Sequence, residues 1–174
     1  QGWWLRDKIE VLTKKTKLDW IISENWNQQE ISQRGKMNDV MLRKKILLIG
    51  AGCVGASVAE ILVRSGIYNI TVADSDIFEI GNLSRHVLNI SNIGEFKELS
   101  LCNYLNSLNP HANVEVINNA LTIDEESKTN IDLDKYGIII DCTGENSVLD
   151  IIQNCNFKKK HIFASVSVGL GAKR

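Results

Sequence analysis

Gly50-Ala-Gly52-Cys-Val-Gly55 is the stretch of this 174-residue chain best suited to chemistry. It follows an apolar run, Lys45–Ile49, and opens a stretch with helical periodicity. In such a turn one glycine permits the tight bend, one lets backbone approach a phosphate, and one lets helix and strand pack. The free N–H groups and positive dipole end of the following helix then face an anion. Asp74 comes nineteen residues after Gly55, at the end of the next apolar run, where a carboxylate meets ribose hydroxyls. Three glycines alone are a weak sign and serve equally as a packing turn. Set between a strand, a helix and a distant carboxylate, they point to a nucleotide.

The residues after Asp74 narrow the choice. A dehydrogenase reads on from the acidic residue into the next helix. This chain instead gives Ala73-Asp-Ser-Asp-Ile-Phe-Glu-Ile-Gly-Asn-Leu-Ser-Arg-His86. Two carboxylates, Asp74 and Asp76, then Asn82 and Arg85, suit a triphosphate and a metal better than a nicotinamide ring. Arg85 can fork onto phosphate oxygens, and Lys97 brings a second cation. Asp141 ends a later apolar run, Ile138–Cys142. In a doubly wound sheet ligands lie beyond the carboxyl ends of the strands, so Asp74 and Asp141 share one edge with the glycine loop. Asp141 has a plainer role open to it, as a cap for a helix at Ser147.

The elements that must position these residues alternate. Strands are expected at Lys45–Ile49, Ile70–Ala73, Val114–Ile117, Ile138–Cys142 and Ile162–Val166. Helices are expected at Val54–Ser65, Glu95–Leu108 and Ser147–Phe157, with a capping box at Thr122-Ile-Asp-Glu125 starting a short one. Alternation of this length makes right-handed βαβ crossovers, so the fold class is α/β: Rossmann-like, doubly wound, mainly parallel, with helices on both faces. Residues 44–174 form this nucleotide-binding unit. Residues 1–43 differ: they hold all four tryptophans, Trp3, Trp4, Trp20 and Trp26, and Ile9, Leu12, Leu18, Ile21 and Ile22 have roughly helical spacing. That segment reads as one or two amphipathic helices packed on the main unit, or as a dimer or partner surface.

Taken in order, GAGCVG (50–55), LVRSGIYNITVADSD (62–76), NLSRH (82–86), NIGEFK (92–97), LNP (108–110) and IIIDCTGEN (138–146) resemble the ThiF/MoeB/HesA superfamily of adenylating enzymes, to which the ubiquitin-activating enzymes also belong. The combination is far more specific than the glycine loop alone. The resemblance implies ATP on Gly50, Gly52 and Gly55, with the ribose on Asp74. It also implies that Asn82, Arg85 and Lys97, beside Asp76, hold the phosphates and that Asp141 meets Mg²⁺. Arg85, Lys97 and Asp141 would be the catalytic residues. The implied reaction is attack of the C-terminal carboxylate of a ubiquitin-like or sulfur-carrier protein on the α-phosphate, giving an acyl-adenylate and pyrophosphate. A homodimer is the implied assembly.

The chain departs from the family pattern at two places. His86 stands where the family has Gln, and it is expected to fill that place by hydrogen bonding. DCTGEN replaces DCTDN, so Glu145 or Asn146 substitutes for the local carboxylate. Arg34 and Arg43 are candidate counterparts of an arginine that relatives send across a dimer. The chain begins at Gln1 and stops at Arg174 directly after an apolar run, as a piece of something longer would. A carrier-gripping half, CxxC zinc ligands and a thioester cysteine would all lie beyond it. Cys53, Cys102, Cys142 and Cys155 read as small buried residues of a reduced, cytoplasmic protein.

Composition excludes the remaining classes. Lys+Arg is 20 against Asp+Glu 21, a net charge of −1 that argues against a nucleic-acid or anionic-membrane binder. No apolar run approaches the roughly 20 residues of a membrane span, and no basic-then-apolar leader opens the chain. Two other readings stay open: a non-catalytic partner subunit that keeps the sheet without the ATP chemistry, and an NAD(P)-dependent oxidoreductase resting on the glycines alone.

Overall fold

Four consecutive apolar residues bounded by Lys45 and Gly50 make Ile46–Ile49 (β1) a strand buried on both faces, as the centre of a parallel sheet requires. The computed structural model describes residues 2–6, 15, 17, 21–31, 37–122 and 129–169. Around β1 lie Asn69–Asp74 (β2), Asn113–Asn118 (β3), Ile138–Asp141 (β4) and Ile162–Ser165 (β5). The sheet order is β3-β2-β1-β4-β5 and every pairing is parallel, with Leu48 opposite both Val72 and Ile140. The order reverses between β1 and β4, the switch point of a doubly wound fold.

The helices are α1 (Trp3–Arg6), α2 (Gln28–Ile31), α3 (Asp39–Leu42), α4 (Cys53–Arg64), α5 (Lys97–Leu108) and α6 (Asn146–Asn154). Because strand residues alternate faces, Ile46, Leu48, Ile70 and Val72 meet Ala56, Ala59, Leu101 and Leu105 of α4 and α5 on one side. On the other, Leu47, Ile49 and Ile139 meet Val148 and Ile152 of α6, with Leu121, Leu133 and Tyr136. The expected α/β fold with both faces covered is therefore the observed one.

Several boundaries shift for local reasons. Helix α5 starts at Lys97 and not at Glu95, because Glu95 turns its carboxylate to Ser100 and Asn92 and its carbonyl to Phe78. The crossover from β2 to α5 is built from two 3₁₀ turns, Ile80–Asn82 and Ile90–Asn92, each closed by a reciprocal side-chain cap. Helix α6 stops at Asn154, where Cys155 is already extended. In the N-terminal segment Ile21 and Ile22 lie outside any helix and are exposed, so they face no core. Ile9, Leu12, Leu18, Trp20, Arg34 and the 123–125 part of the capping box lie outside the described residues.

Candidate nucleotide site

The carboxyl ends of β1, β2 and β4 carry the site. After β1 the chain must turn at once into α4, and Gly50 does this at φ +92, a left-handed conformation that a side chain strains. A Cβ at Gly55 would stand 1.9 Å from the Gly50 carbonyl oxygen, so only glycine lets α4 approach the turn this closely. Gly52 sits at the N-cap of α4 with open space where a side chain would be. Gly50 and Gly55 thus do the turning and packing jobs expected of the motif.

Asp74 organises the loop. Its Oδ2 accepts the Ala51 N–H at 2.5 Å, and its Oδ1 accepts the N–H groups of Ser75 and Asp76 at 2.7 and 2.8 Å. Asp76 in turn holds Lys97 from two sides. Its carbonyl accepts the Lys97 N–H at 2.9 Å, and its carboxylate pairs with Lys97 Nζ at 2.8 Å. Gly50, Gly52, Asp74, Asp76 and Lys97 thus line one pocket of about 200 Å³ together with Leu121, Thr143 and Glu145. A cation beside a glycine turn and a helix N-terminus is an arrangement that receives phosphate.

Three expected site residues stand differently. Asn82 caps the first 3₁₀ turn by accepting the Glu79 N–H, and it does not line the pocket. Arg85 is exposed, outside the pocket wall, and among the described residues nothing holds its guanidinium. Asp141 is 1% exposed: its Oδ1 accepts from the Thr143 N–H and hydroxyl, and its Oδ2 from the Ser165 hydroxyl. The capping role is not what Asp141 does, since it holds the turn before α6 rather than the helix end.

No helix among the described residues is long and apolar enough to cross a membrane. Among those residues no three His, Cys, Asp or Glu side chains cluster as a metal cage would require. A Mg²⁺ carried mainly by nucleotide phosphates takes one protein carboxylate besides. Two of the three hydrogen bonds to Asp141 come from hydroxyls that can rotate away, while the carboxylate itself is buried and outside the pocket lining.

His86 hydrogen-bonds to the glycine loop. Its Nε2 lies 2.8 Å from the Ala51 carbonyl oxygen, and its Nδ1 accepts the Leu88 N–H at 3.2 Å. Burial, and next the charge of Lys97, hold the imidazole below its ordinary pKa, against opposing pulls from Ala51 and Asp74. The four cysteines are free, and only Cys142 is fully buried. Burial and Asp141 push its thiol up to about 11, which unsuits it as a nucleophile.

Sequence reasoning missed Glu98, Thr143 and Ser165. Glu98 is 1% exposed, with Oε2 unpartnered, and burial followed by the charges of Asp74 and Asp76 raises its pKa. Its spacing from Leu101 and Leu105 puts it on the buried stripe of α5, a signal that was there to read. Thr143 stands two residues from Asp141, within the 138–146 motif, whereas Ser165 carried no signal, because its contact appears only when β4 and β5 pair.

Residues 23–172 match the model of the ThiF family. The chain is 34% identical over 149 residues to the ATP-dependent ubiquitin transferase-like protein Cap2 of Enterobacter hormaechei, covering 86% of this chain and 25% of that protein. It is 35% identical over 130 residues to the adenylyltransferase and sulfurtransferase UBA4 of Candida albicans, covering 73% and 29%. Among solved structures, E. coli MccB with ATP superposes with a TM-score of 0.55 at 26% identity, over 66% of this chain and 33% of that one. The chain thus spans between a quarter and a third of these relatives. Glycine loop, switch-point pocket and matched span agree, and the chain belongs to the ThiF family.

Proposed function

We propose that this chain is the nucleotide-binding half of an enzyme that adenylates the C-terminal carboxylate of a ubiquitin-like or sulfur-carrier protein. The observation that carries the reading is the pocket itself, where glycine turn, Asp74 and Lys97 converge at the sheet's switch point. In the reaction a carboxylate oxygen bonds to the α-phosphorus. The bond from that phosphorus to the bridging oxygen breaks, and pyrophosphate leaves with the electron pair. The chain needs no covalent nucleophile for this step. Glycine-loop amides and Lys97 neutralise charge that grows on the phosphates, and Asp74 fixes the loop and receives the ribose. Arg85, without a partner among the described residues, swings onto the phosphates, while Asn82 keeps its turn in shape. Asp141 would hold Mg²⁺, which supplies further positive charge at the phosphates. The working assembly is a homodimer.

Titration with MgATP and with NADH separates this from an oxidoreductase: MgATP binds and NADH does not. Stabilisation by NADH with no response to MgATP would end the reading. In the intact protein, Arg85→Ala and Lys97→Ala slow carrier-dependent ATP–pyrophosphate exchange by about 100-fold, the usual scale for losing one preorganised charge. Asp74→Ala weakens ATP binding instead, since its contacts are alike in ground and transition states. Exchange left intact by both cation variants would show that the phosphates are held elsewhere.

A further inference from the structure

His86 joins two pieces of the site that the chain makes separately. The turn carrying Asn82 and Arg85 belongs to the crossover after β2, while Ala51 is the middle of the Gly50–Gly52 bend after β1. Ala51 is gripped at both ends of its backbone. Its N–H goes to Asp74 at 2.5 Å and its carbonyl faces His86 Nε2 at 2.8 Å. The carbonyl can only accept, so Nε2 must carry a hydrogen. On the other side of the ring the Leu88 N–H can only donate, at 3.2 Å, so Nδ1 must be bare. The two contacts together admit one form, the neutral Nε2–H tautomer. Phe78 packs edge-on against the ring, with the ring centroids 5.0 Å apart.

We propose that His86 is a positioning residue of this site: as the neutral Nε2–H tautomer it ties the Arg85 turn to the glycine loop, and a proton on Nδ1 undoes the tie. Protonation sets an N–H against the Leu88 N–H, donor facing donor, and the turn loses its hold on the ring. The charged groups facing the ring act in opposite senses, Lys97 from α5 against the extra proton and Asp74 from the end of β2 for it. Burial sides with Lys97, so the clamp stays closed near neutral pH and opens only on acidification. Glutamine can offer one donor and one acceptor at the same reach without titrating, which makes His86→Gln the informative variant. The proposal rests on the adenylation reading for its functional readout alone.

The test is made first on the free chain by imidazole nitrogen NMR, with His86→Gln identifying the His86 signals among the three histidines. The expected result is a neutral Nε2–H tautomer that titrates below free imidazole, with the Ala51 and Leu88 amide shifts following the same midpoint. Those coupled shifts are absent in His86→Gln. Affinity for MgATP is then measured at pH 8 and pH 5.5. Wild type weakens by about tenfold more than His86→Gln over that range, the scale of one lost hydrogen bond at a binding loop. The nucleotide's own titration is common to both and cancels. His86→Phe, which keeps the ring but neither contact, binds weakly at both pH values. An Nδ1–H tautomer, amides indifferent to the His86 titration, or an acid-induced loss kept in full by His86→Gln would each overturn the proposal. Failure of MgATP to bind at any pH would instead defeat the nucleotide reading, and the imidazole and amide shifts would still decide the clamp.

Discussion

β1 and β5 are both four-residue parallel strands, and β4 and β5 pair as regularly as β1 and β4 do. Their surroundings are opposite. All four residues of β1 are 2% exposed or less, whereas Ile162 and Phe163 of β5 are 46% and 41% exposed. The difference does not lie in the strands' own hydrogen bonding. It lies in what covers them: α4 and α5 on one face of β1, α6 and the 131–136 segment on the other. Both cores exclude β5. Apolar alternation therefore reports that a segment will pair, while cover comes from elements far away in sequence. The site grew where cover is complete, since a glycine turn can hold an anion only if its strand and helix do not move.

The comparison is broken most severely at the turn leaving β1. Gly55→Ala sets a methyl 1.9 Å from the Gly50 carbonyl oxygen, and backbone must move to relieve it. The expected loss is more than about 4 kcal/mol, enough to unfold a domain of ordinary stability. Circular dichroism of the soluble fraction checks it. A folded Gly55→Ala protein with unchanged melting temperature would mean that α4 does not seat as described.

Truncation within the two strands sharpens the same contrast. Leu47→Ala leaves a cavity between β1 and α6 and costs about 3 kcal/mol in urea unfolding. Phe163→Ala, at a half-open position on β5, costs less than about 1 kcal/mol. Equal losses would show that β5 is covered after all.

Legibility in the sequence followed the same line. Ile46–Ile49, the glycine turn and Asp74 were readable because each acts on neighbours a few residues away or through a pattern of fixed spacing. The parallel sheet and the cover on both faces followed from alternation of strands and helices. Arg85 was readable as a residue type but not as a placement, and Asp141 was readable as the end of β4 but not in its contacts. The structure sets Arg85 outside the pocket wall and ties Asp141 to Ser165, twenty-four residues away. A contact across two strands has no local signature. At Ile21 and Ile22 the helical rhythm of the sequence does not hold, since both lie outside any helix and are exposed.

β5 also predicts behaviour in solution. Among the described residues its outer edge has no neighbouring strand, and Ile162 and Phe163 on it, with Val166 and Val168 just after it, are exposed. Such an edge tends to pair. The 174-residue chain is expected to associate into dimers or larger species by light scattering, and to lack carrier-dependent exchange by itself. Phe163→Lys shifts it toward monomer, because a charge on the edge opposes pairing. A monomeric wild-type chain would remove β5 as a contact surface.

A pH-dependent effect comes from within the covered region, where cover is bought at a cost. Glu98 is as buried as the leucines of β1, yet its Oε2 has no partner and Asp74 and Asp76 repel its charge. Burial first, and those two carboxylates next, raise its folded pKa above the unfolded value. The folded state therefore holds the proton more tightly than the unfolded state does. Stability from this group is fully present below the unfolded pKa and is lost as pH rises through the folded one. Glu98→Gln has nothing to lose over that range. The variant should match wild type in urea unfolding at pH 4 and exceed it by about 1 kcal/mol at pH 8, the lower end for relieving one unsatisfied buried group. A wild-type advantage at pH 8 would mean that the Glu98 carboxylate has found a cation, and Lys97, one residue before it, would be the first side chain to examine.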